Sequence, residues 1–168
     1  MIMKNRTVDH ISGIIDIIKK CDVCYMGMID QNNMPYVLPF NFGFDGEKSI
    51  YLHSAQTGKK IDILENNPNV CVVFSTDHEL RYQDKEVACS WSMKYRSVLA
   101  YGKVVFIEDR EEKIRALNHV MNNYSDKQYT YNEPAIKGVK PYKVVVDHFE
   151  GRAYGYYLTF IIFRQNSL

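Results

Sequence analysis

The sequence lacks long apolar runs and has no excess of charge of one sign. None of its apolar stretches reaches the roughly 18 to 20 residues that a membrane helix needs. Its 21 Lys and Arg residues nearly balance 20 Asp and Glu residues, so the overall field that draws a protein onto nucleic acid is missing. The first residues lead into Asp9 and His10 without the apolar segment of a secretory signal. We therefore expect a cytoplasmic protein with neither a nucleic-acid nor a membrane partner.

Cysteine is scarce, and the signatures of common catalytic classes are missing. Cys21 and Cys24 have the spacing of a redox or zinc motif, but no second pair completes a zinc site and no helix is expected after them. The five histidines do not stand at the spacing of a sequence-local metal site, so we predict no metal. Neither a nucleophile elbow nor a phosphate-binding Walker loop is present, which leaves hydrolase and nucleoside-triphosphatase functions without support.

Hydrophobic periodicity predicts about six strands and three helices. A first helix, capped by Thr7, carries an apolar stripe from Ile11 to Ile18, and further helices are predicted after Gly58 and over 110–124. The polar segments 30–33 and 45–48 join alternating stretches as tight turns, and a long β segment at 89–108 requires a bend or bulge. We expect irregular connections at 78–87 and 125–140.

Strands joined by tight turns must be antiparallel, so a parallel α/β sheet is excluded. The pattern favours a mainly β protein, a closed or nearly closed antiparallel barrel with flanking α-helices. With 46% hydrophobic residues the chain can bury one core, so residues 1–168 are predicted to form a single domain. The core would span about 6–155, followed by a C-terminal tail at 156–168.

Between residues 50 and 64 the residue pattern changes from that of a strand to that of a helix, and the junction indicates an anion-binding site. Thr57 offers a hydroxyl to cap the helix, and Gly58 allows close approach to the backbone. Lys59 and Lys60 follow at a helix start, where free N–H groups already favour an anion such as phosphate. An ordinary strand-to-helix turn with two solvated lysines explains the same residues.

The strand predicted at 35–45 has one aromatic face and one small or polar face. Val37, Pro39, Asn41 and Gly43 lie on the small face, where the backbone could receive a flat ligand. An edge strand that faces water is an equally good interpretation.

Arg96 and Ser97 place a cation and a hydroxyl on an otherwise apolar strand. A charged group in such a place needs an anionic partner, which a ligand could supply. A structural ion pair explains Arg96 nearly as well.

Three sequence motifs occur in one order along the chain. They are Pro35-Tyr36-Val37-Leu38-Pro39-Phe40-Asn41-Phe42; His53-x-Ala55-x-x-Gly58-x-Lys60 with Asn67-Pro68-x-Val70; and Tyr95-Arg96-Ser97-Val98-x-x-Tyr101-Gly102. In these the chain resembles the pyridoxamine-phosphate-oxidase-like, FMN-binding split barrels, and among them the Nim group of 5-nitroimidazole resistance proteins. The resemblance implies a six-stranded split barrel that forms a homodimer, with two FMN sites at the interface and FAD as a possible substitute.

The resemblance also assigns roles to the candidate residues. The cofactor phosphate would be bound by Lys60, with help from Lys59, Ser54 or Arg96, and the flat ring would lie on the 35–45 strand. The segment around Trp91 would come from the partner subunit. The complete set of expected cofactor contacts is Val37, Leu38, Pro39, Asn41, His53, Ser54, Ala55, Gly58, Lys59, Lys60, Trp91, Arg96 and Ser97.

The implied activity is that of a flavin-dependent oxidoreductase, a reductase of small aromatic or nitro compounds such as 5-nitroimidazoles. His53 could donate a proton there, since imidazole titrates near neutrality, or it could only hydrogen-bond backbone or flavin. A non-catalytic flavin or small-ligand binding protein is the alternative, because one fold serves several functions.

Overall fold

The computed structural model describes residues 7–156, so the predicted tail lies, apart from Tyr156, outside the described residues. The strands are β1 Thr7–Val8, β2 Cys24–Ile29, β3 Pro35–Phe40, β4 Gly43–Phe44, β5 Ser49–Ala55, β6 Asn69–Arg81, β7 Ser92–Phe106 and β8 Val139–Tyr154. The helices are α1 Ile11–Lys19, α2 Lys59–Asn66, α3 Arg110–Asn122 and α4 Glu133–Gly138, and one 3-10 turn occupies Ala88–Ser90. Six strands are long, and β1 and β4 have two residues each.

The strands form one antiparallel sheet in the order β3-β2-β6-β7-β8-β5-β4, with β1 against β8. The edge strands β3 and β4 follow each other in the chain, separated only by Asn41 and Phe42. Three Cα–Cα steps of about 3.8 Å span at most about 11 Å, so the sheet must curl until its two edges approach. The predicted mainly β, antiparallel split barrel with flanking helices is confirmed.

The core lies inside the curled sheet, and α1 packs against it. Inward side chains such as Met26, Val72 and Val98 are fully buried, and the Phe42 ring meets the Phe74 ring edge-on at 4.9 Å between centroids. From α1, the buried residues are Ile14, Ile17 and Ile18. Ile11, at the start of the predicted stripe, is exposed.

Several local predictions were wrong. Thr7 belongs to β1 and does not cap α1, which begins at Ile11 after His10. The segment 78–87 was predicted to be irregular, but β6 continues through it to Arg81 and pairs there with β7. This part of the strand lies beyond the core, so its sequence lacks the apolar alternation that indicates a strand. The segment 125–140 contains α4, whose N-terminus is capped by the Asn132 side chain accepting from the Ala135 N–H at 2.9 Å.

Two irregularities of register bend the long strands, as the length of the 89–108 segment predicts. In β6, Thr76 faces Arg96 and Glu79 faces Lys94, so two residues of β6 oppose one of β7. The bulge holds Asp77 at a φ of 56°. A second shift, between Tyr101 and Gly102 of β7, leaves one extra residue on β8.

Gly43 shows how closely α3 approaches β4. A Cβ atom at this position would lie 2.3 Å from both the carbonyl carbon and the oxygen of His119, which are backbone atoms that cannot move aside. We expect Gly43→Ala to lower the free energy of unfolding by about 1–3 kcal/mol, as overpacking does. Urea denaturation measures the change. Gly138→Ala is the control, since a Cβ there meets nothing within 4 Å; equal loss in both variants would contradict the prediction.

Candidate functional site

The corner between β5 and α2 leaves the first N–H groups of the helix without a side-chain cap. The N-cap residue is Gly58, with a φ of 127° and no capping side chain, so the prediction that Thr57 caps this helix was wrong. Only the carbonyl of Gly58 takes part, accepting from the N–H groups of Ile61 and Asp62 at 2.8 and 3.2 Å. A helix start of this kind can bind an anion through its free N–H groups.

Both lysines of the corner lie over aromatic rings of β3. Lys59 Nζ is 4.6 Å from the centroid of the Tyr36 ring and 4.0 Å from Oδ2 of Asp30. Lys60 Nζ is 5.2 Å from the centroid of the Phe40 ring. Within residues 7–156, no carboxylate lies within salt-bridge distance of Lys60. The Lys60 ammonium group therefore remains available for an anionic ligand.

His53 contributes a buried nitrogen to the same corner. Its Nδ1 is buried and has no hydrogen-bond partner among the described residues. Burial lowers the pKa of this imidazole below its ordinary value, and the charge of Lys60 lowers it further. Because buried polar atoms in proteins are nearly always hydrogen-bonded, Nδ1 is a place where a ligand can supply the missing partner.

The other predicted contacts near this corner lie on opposite faces of their strands. Ser54 is buried inside the barrel, where its hydroxyl donates to the Ala55 carbonyl at 3.0 Å, whereas His53 lies on the outward face.

The contacts predicted on β3 are divided in the same way. Leu38 packs against the core, while Val37 is 58% exposed. Pro39 and Asn41 are also exposed. Asn41 lies in the link between β3 and β4, so the prediction of one continuous strand over 35–45 was wrong. One ligand on a single face of β3 cannot contact Leu38 and Val37 equally, because they point to opposite sides.

Arg96 binds Asp77, the residue at the centre of the β6 bulge. Arg96 Nη1 and Lys20 Nζ both bond Oδ2 of Asp77, and the Lys20 contact measures 3.0 Å. Burial raises the pKa of the Asp77 carboxyl, but the two cations outweigh it, so the pKa is lowered. The Tyr156 hydroxyl donates to the Asp77 carbonyl at 2.6 Å, and its ring lies 4.1 Å from the Arg96 guanidinium. Arg96 is thus part of a structural cluster. Ser97 points to the opposite face and lies across from Ser75.

Strand register separates Arg96 from the corner between β5 and α2, which we call the lysine corner after Lys59 and Lys60. His53 faces Pro141 of β8, and the neighbouring Tyr142 faces Phe106 at the end of β7. Arg96 stands ten positions earlier on β7, which corresponds to about 33 Å of extended strand. One chain therefore gathers His53, Ala55, Gly58, Lys59 and Lys60, but it does not bring Trp91, Arg96 or Ser97 to them.

The outward side chains of four adjacent strands form an apolar surface that the sequence analysis missed. Tyr25 of β2 is 49% exposed and lies between Pro39 of β3 and Val73 of β6, which in turn faces Leu99 of β7. We call this surface the outer sheet face; its residues are Tyr25, Ile29, Val37, Pro39, Val73, Leu99 and Tyr101. The alternation of apolar and polar residues in each strand could have indicated which side chains point outward. That these side chains form one surface is known only from the pairing of the four strands.

The two cysteines of the CxxC motif are buried thiols. Burial raises the pKa of Cys21 to about 11 and that of Cys24 to about 12, so both are protonated at neutral pH. The Cys21 thiol donates to the Ile17 carbonyl at 3.4 Å.

Among residues 7–156, no three potential ligands are grouped as a metal site would require. In the same residues, no helix is long and apolar enough to cross a membrane.

The lowered pKa of His53 makes its titration a test of the site. We expect its imidazole to stay neutral at pH 7 and to gain a proton only below the ordinary pKa of about 6.5. Because the unfolded chain binds this proton first, stability should be complete above that pH and fall as the pH decreases toward the folded-state value. NMR of the histidine Cε1 protons, with His53→Gln to assign the signal, measures the midpoint; a midpoint above about 6.5 would refute the prediction.

Comparisons with known proteins agree with the fold. Residues 12–153 match the family model described as pyridoxamine 5'-phosphate oxidase. A proposed 5-nitroimidazole antibiotic resistance protein from Bacteroides thetaiotaomicron is 42% identical, with a TM-score of 0.79 over 88% of this chain and 86% of that one. The flavocytochrome Anf3 from Azotobacter vinelandii shares the fold at 16% identity, with a TM-score of 0.75 over 88% of this chain and 69% of that one.

The FAD and heme binding protein from Mycobacterium smegmatis also shares the fold, at 11% identity and a TM-score of 0.78 over 91% of this chain and 75% of that one. No curated protein sequence matches. The family model and the 42% identical structure confirm the resemblance predicted from the three motifs. This chain belongs to the pyridoxamine 5'-phosphate oxidase family.

Proposed function

We propose that this protein is a cytoplasmic flavin-binding oxidoreductase that reduces small nitroaromatic compounds such as 5-nitroimidazoles. The observation that carries the proposal is that the Lys60 ammonium and the unpartnered Nδ1 of His53 both lie at one uncapped helix start. The 42% identity to a proposed 5-nitroimidazole resistance protein supports the choice of substrate class. FMN is the expected cofactor, and FAD could take its place.

The chemistry of the corner fits a flavin phosphate. Lys60 offers a charge with no carboxylate partner among the described residues, and the first N–H groups of α2 have no side-chain cap. Lys59 would contribute less, because Asp30 already lies 4.0 Å from its ammonium group and its side chain is largely exposed. We therefore assign the phosphate chiefly to Lys60 and the N–H groups beside it.

Bound flavin would supply the electron carrier, and the chain would supply binding, orientation and exclusion of water. His53 would provide a hydrogen bond to the ligand through its buried Nδ1. Its lowered pKa keeps the imidazole neutral at pH 7, and a neutral imidazole is a poor proton donor. This favours the hydrogen-bonding role of His53 over the proton-donating role.

A homodimer would cover the outer sheet face. Exposed Tyr25, Ile29 and Val37 adjoin half-buried Val73 and Leu99 across four paired strands, and contiguous apolar surface of this kind commonly marks an interaction site. A two-fold axis through such a surface would bury it against itself. We propose that two copies associate through this face.

Replacing Lys60 tests the phosphate site. Lys60→Ala removes a charge-assisted contact of about 1.5–3 kcal/mol, so the dissociation constant for FMN should rise about ten- to hundredfold. Titration of flavin-free protein with FMN, followed by flavin fluorescence, measures the change. Lys103→Ala is the control, because Lys103 is an exposed lysine of β7 whose strand neighbours are Asn69 and Val145 and not residues of the corner. If both variants bind FMN as tightly as the parent, the phosphate is bound elsewhere.

The reaction is tested without oxygen. The bound flavin is first reduced chemically, a 5-nitroimidazole is added, and the flavin and nitro absorbances are followed together. We expect rapid flavin reoxidation with stoichiometric loss of the nitro band. A flavin that stays reduced until air is admitted would contradict the reductase and favour a flavin or small-ligand binding protein.

A further inference from the structure

The loop that leads from β5 into α2 consists of Gln56, Thr57 and Gly58, and all three residues are exposed. The β5–β8 ladder ends just before this loop, where Ala55 faces Val139. Gly58 has a φ of 127°, a conformation that glycine adopts without strain and other residues do not. A Cβ atom at Gly58 would meet nothing within 4 Å, so packing around this residue does not hold the loop in place.

The side chain of Gln56 ties this loop to a distant part of the chain. Its Nε2 donates to the carbonyls of Lys137 and Val139, at 2.8 and 2.7 Å, which are 81 and 83 positions away in the sequence. Both hydrogens of the amide are used in these bonds. Apart from the strand ladder and the first turn of α2, the hydrogen bonds described for residues 56–58 are these two. The amide of Gln56 therefore fixes the position of the loop.

The two carbonyls lie where α4 ends and β8 begins. Lys137 belongs to the last turn of α4, and Val139 is the first residue of β8. Carbonyls in the last turn of a helix have no partner within the helix, and the Gln56 amide supplies one here. Because α4 has only six residues, of which Ile136 is buried, it is too short to be stable by itself. The position of α4 therefore depends in part on Gln56.

The same loop sets the direction of the free N–H groups at the start of α2. Gly58 is the N-cap residue, and its carbonyl accepts from the N–H groups of Ile61 and Asp62. A site built from backbone N–H groups binds an anion tightly when the backbone already has the conformation of the complex, since no entropy is then lost in ordering it. Gln56 precedes Gly58 by two residues and holds the backbone there.

We propose that Gln56 is a positioning residue for the lysine corner and that it couples this corner to α4, so that an anion bound at the start of α2 also holds residues 133–139 in place. The inference rests on the flavin site proposed above. The Gln56 side chain does not bind the phosphate itself, because both amide hydrogens are already donated and its oxygen can only accept. Because coupling between two sites is reciprocal, loosening residues 133–139 weakens the binding of the anion.

Gln56→Met tests the coupling, because methionine is unbranched and uncharged and cannot donate a hydrogen bond. Since Gln56 is exposed, we expect the variant to fold. Hydrogen exchange of residues 133–139 is measured with and without saturating FMN. The Ile136 N–H, which bonds the Asn132 carbonyl at 3.2 Å, reports on the opening of α4.

In the parent protein, FMN should slow the exchange of residues 133–139 about fivefold or more, and in Gln56→Met this slowing should be lost. The dissociation constant for FMN should rise about five- to tenfold in the variant. A glutamine that only stabilised the fold would change the exchange of the free protein and leave the slowing by FMN intact. Full slowing in Gln56→Met would therefore overturn the inference.

Gln128→Met is the matched control, because Gln128 is an exposed glutamine in the connection between α3 and α4. It should change neither the affinity for FMN nor the slowing of exchange. Equal effects of the two substitutions would show that the coupling does not depend on Gln56.

Inorganic phosphate separates this inference from the proposed function. Suppose that the parent does not bind FMN but that phosphate slows exchange of residues 133–139 in the parent and not in Gln56→Met. The coupling would then be supported and the proposed function contradicted. FMN that binds without slowing this exchange would overturn the coupling and leave the proposed function standing. If neither FMN nor phosphate slows the exchange in the parent, the coupling is overturned as well.

Discussion

The fold depends on the link of two residues that carries the chain from one edge of the sheet to the other. Asn41 and Phe42 leave so little length between β3 and β4 that a flat sheet is impossible. The Phe42 N–H donates to the Tyr124 hydroxyl at 3.0 Å, and this hydroxyl donates to the Asp22 carbonyl at 2.7 Å. The phenol thus ties the link to the chain just before β2 and satisfies a backbone group that has no strand neighbour.

The distribution of charge partners distinguishes the lysine corner from other lysines at the barrel surface. Lys140, mostly buried, bonds Glu65 at 2.7 Å, and Lys113, also mostly buried, lies 3.5 Å from Glu108. Lys60 has an aromatic ring in place of a carboxylate. In the same surroundings, the face of an aromatic ring stabilises an ammonium group less than a carboxylate does. Of Lys60, Lys113 and Lys140, Lys60 therefore has the least compensated charge.

The sequence predicted local features well, because turns and alternation are local properties. Asp30 and Asp45 each accept from backbone N–H groups within their own turns, so the two hairpins could be recognised from the residues alone. The extent of β6 could not, because it depends on a partner strand more than ten residues away and beyond the core. For the site, the lysine corner was recognised because its residues adjoin in sequence. The position of Arg96 followed only from the register across β7, β8 and β5.

The prolines of β3 have a consequence for how copies of this chain can associate. As the terminal strand of the sheet, β3 leaves one side of its backbone without a neighbouring strand. Pro35 and Pro39 have no N–H group, so the strand cannot present a continuous row of donors to another chain. Growth of the sheet by edge-to-edge addition, the first step toward a fibril, is therefore blocked at the same strand that bears the exposed apolar side chain of Val37. The chain can therefore expose an apolar surface beside β3 without the ordered aggregation to which exposed apolar edge strands are usually prone.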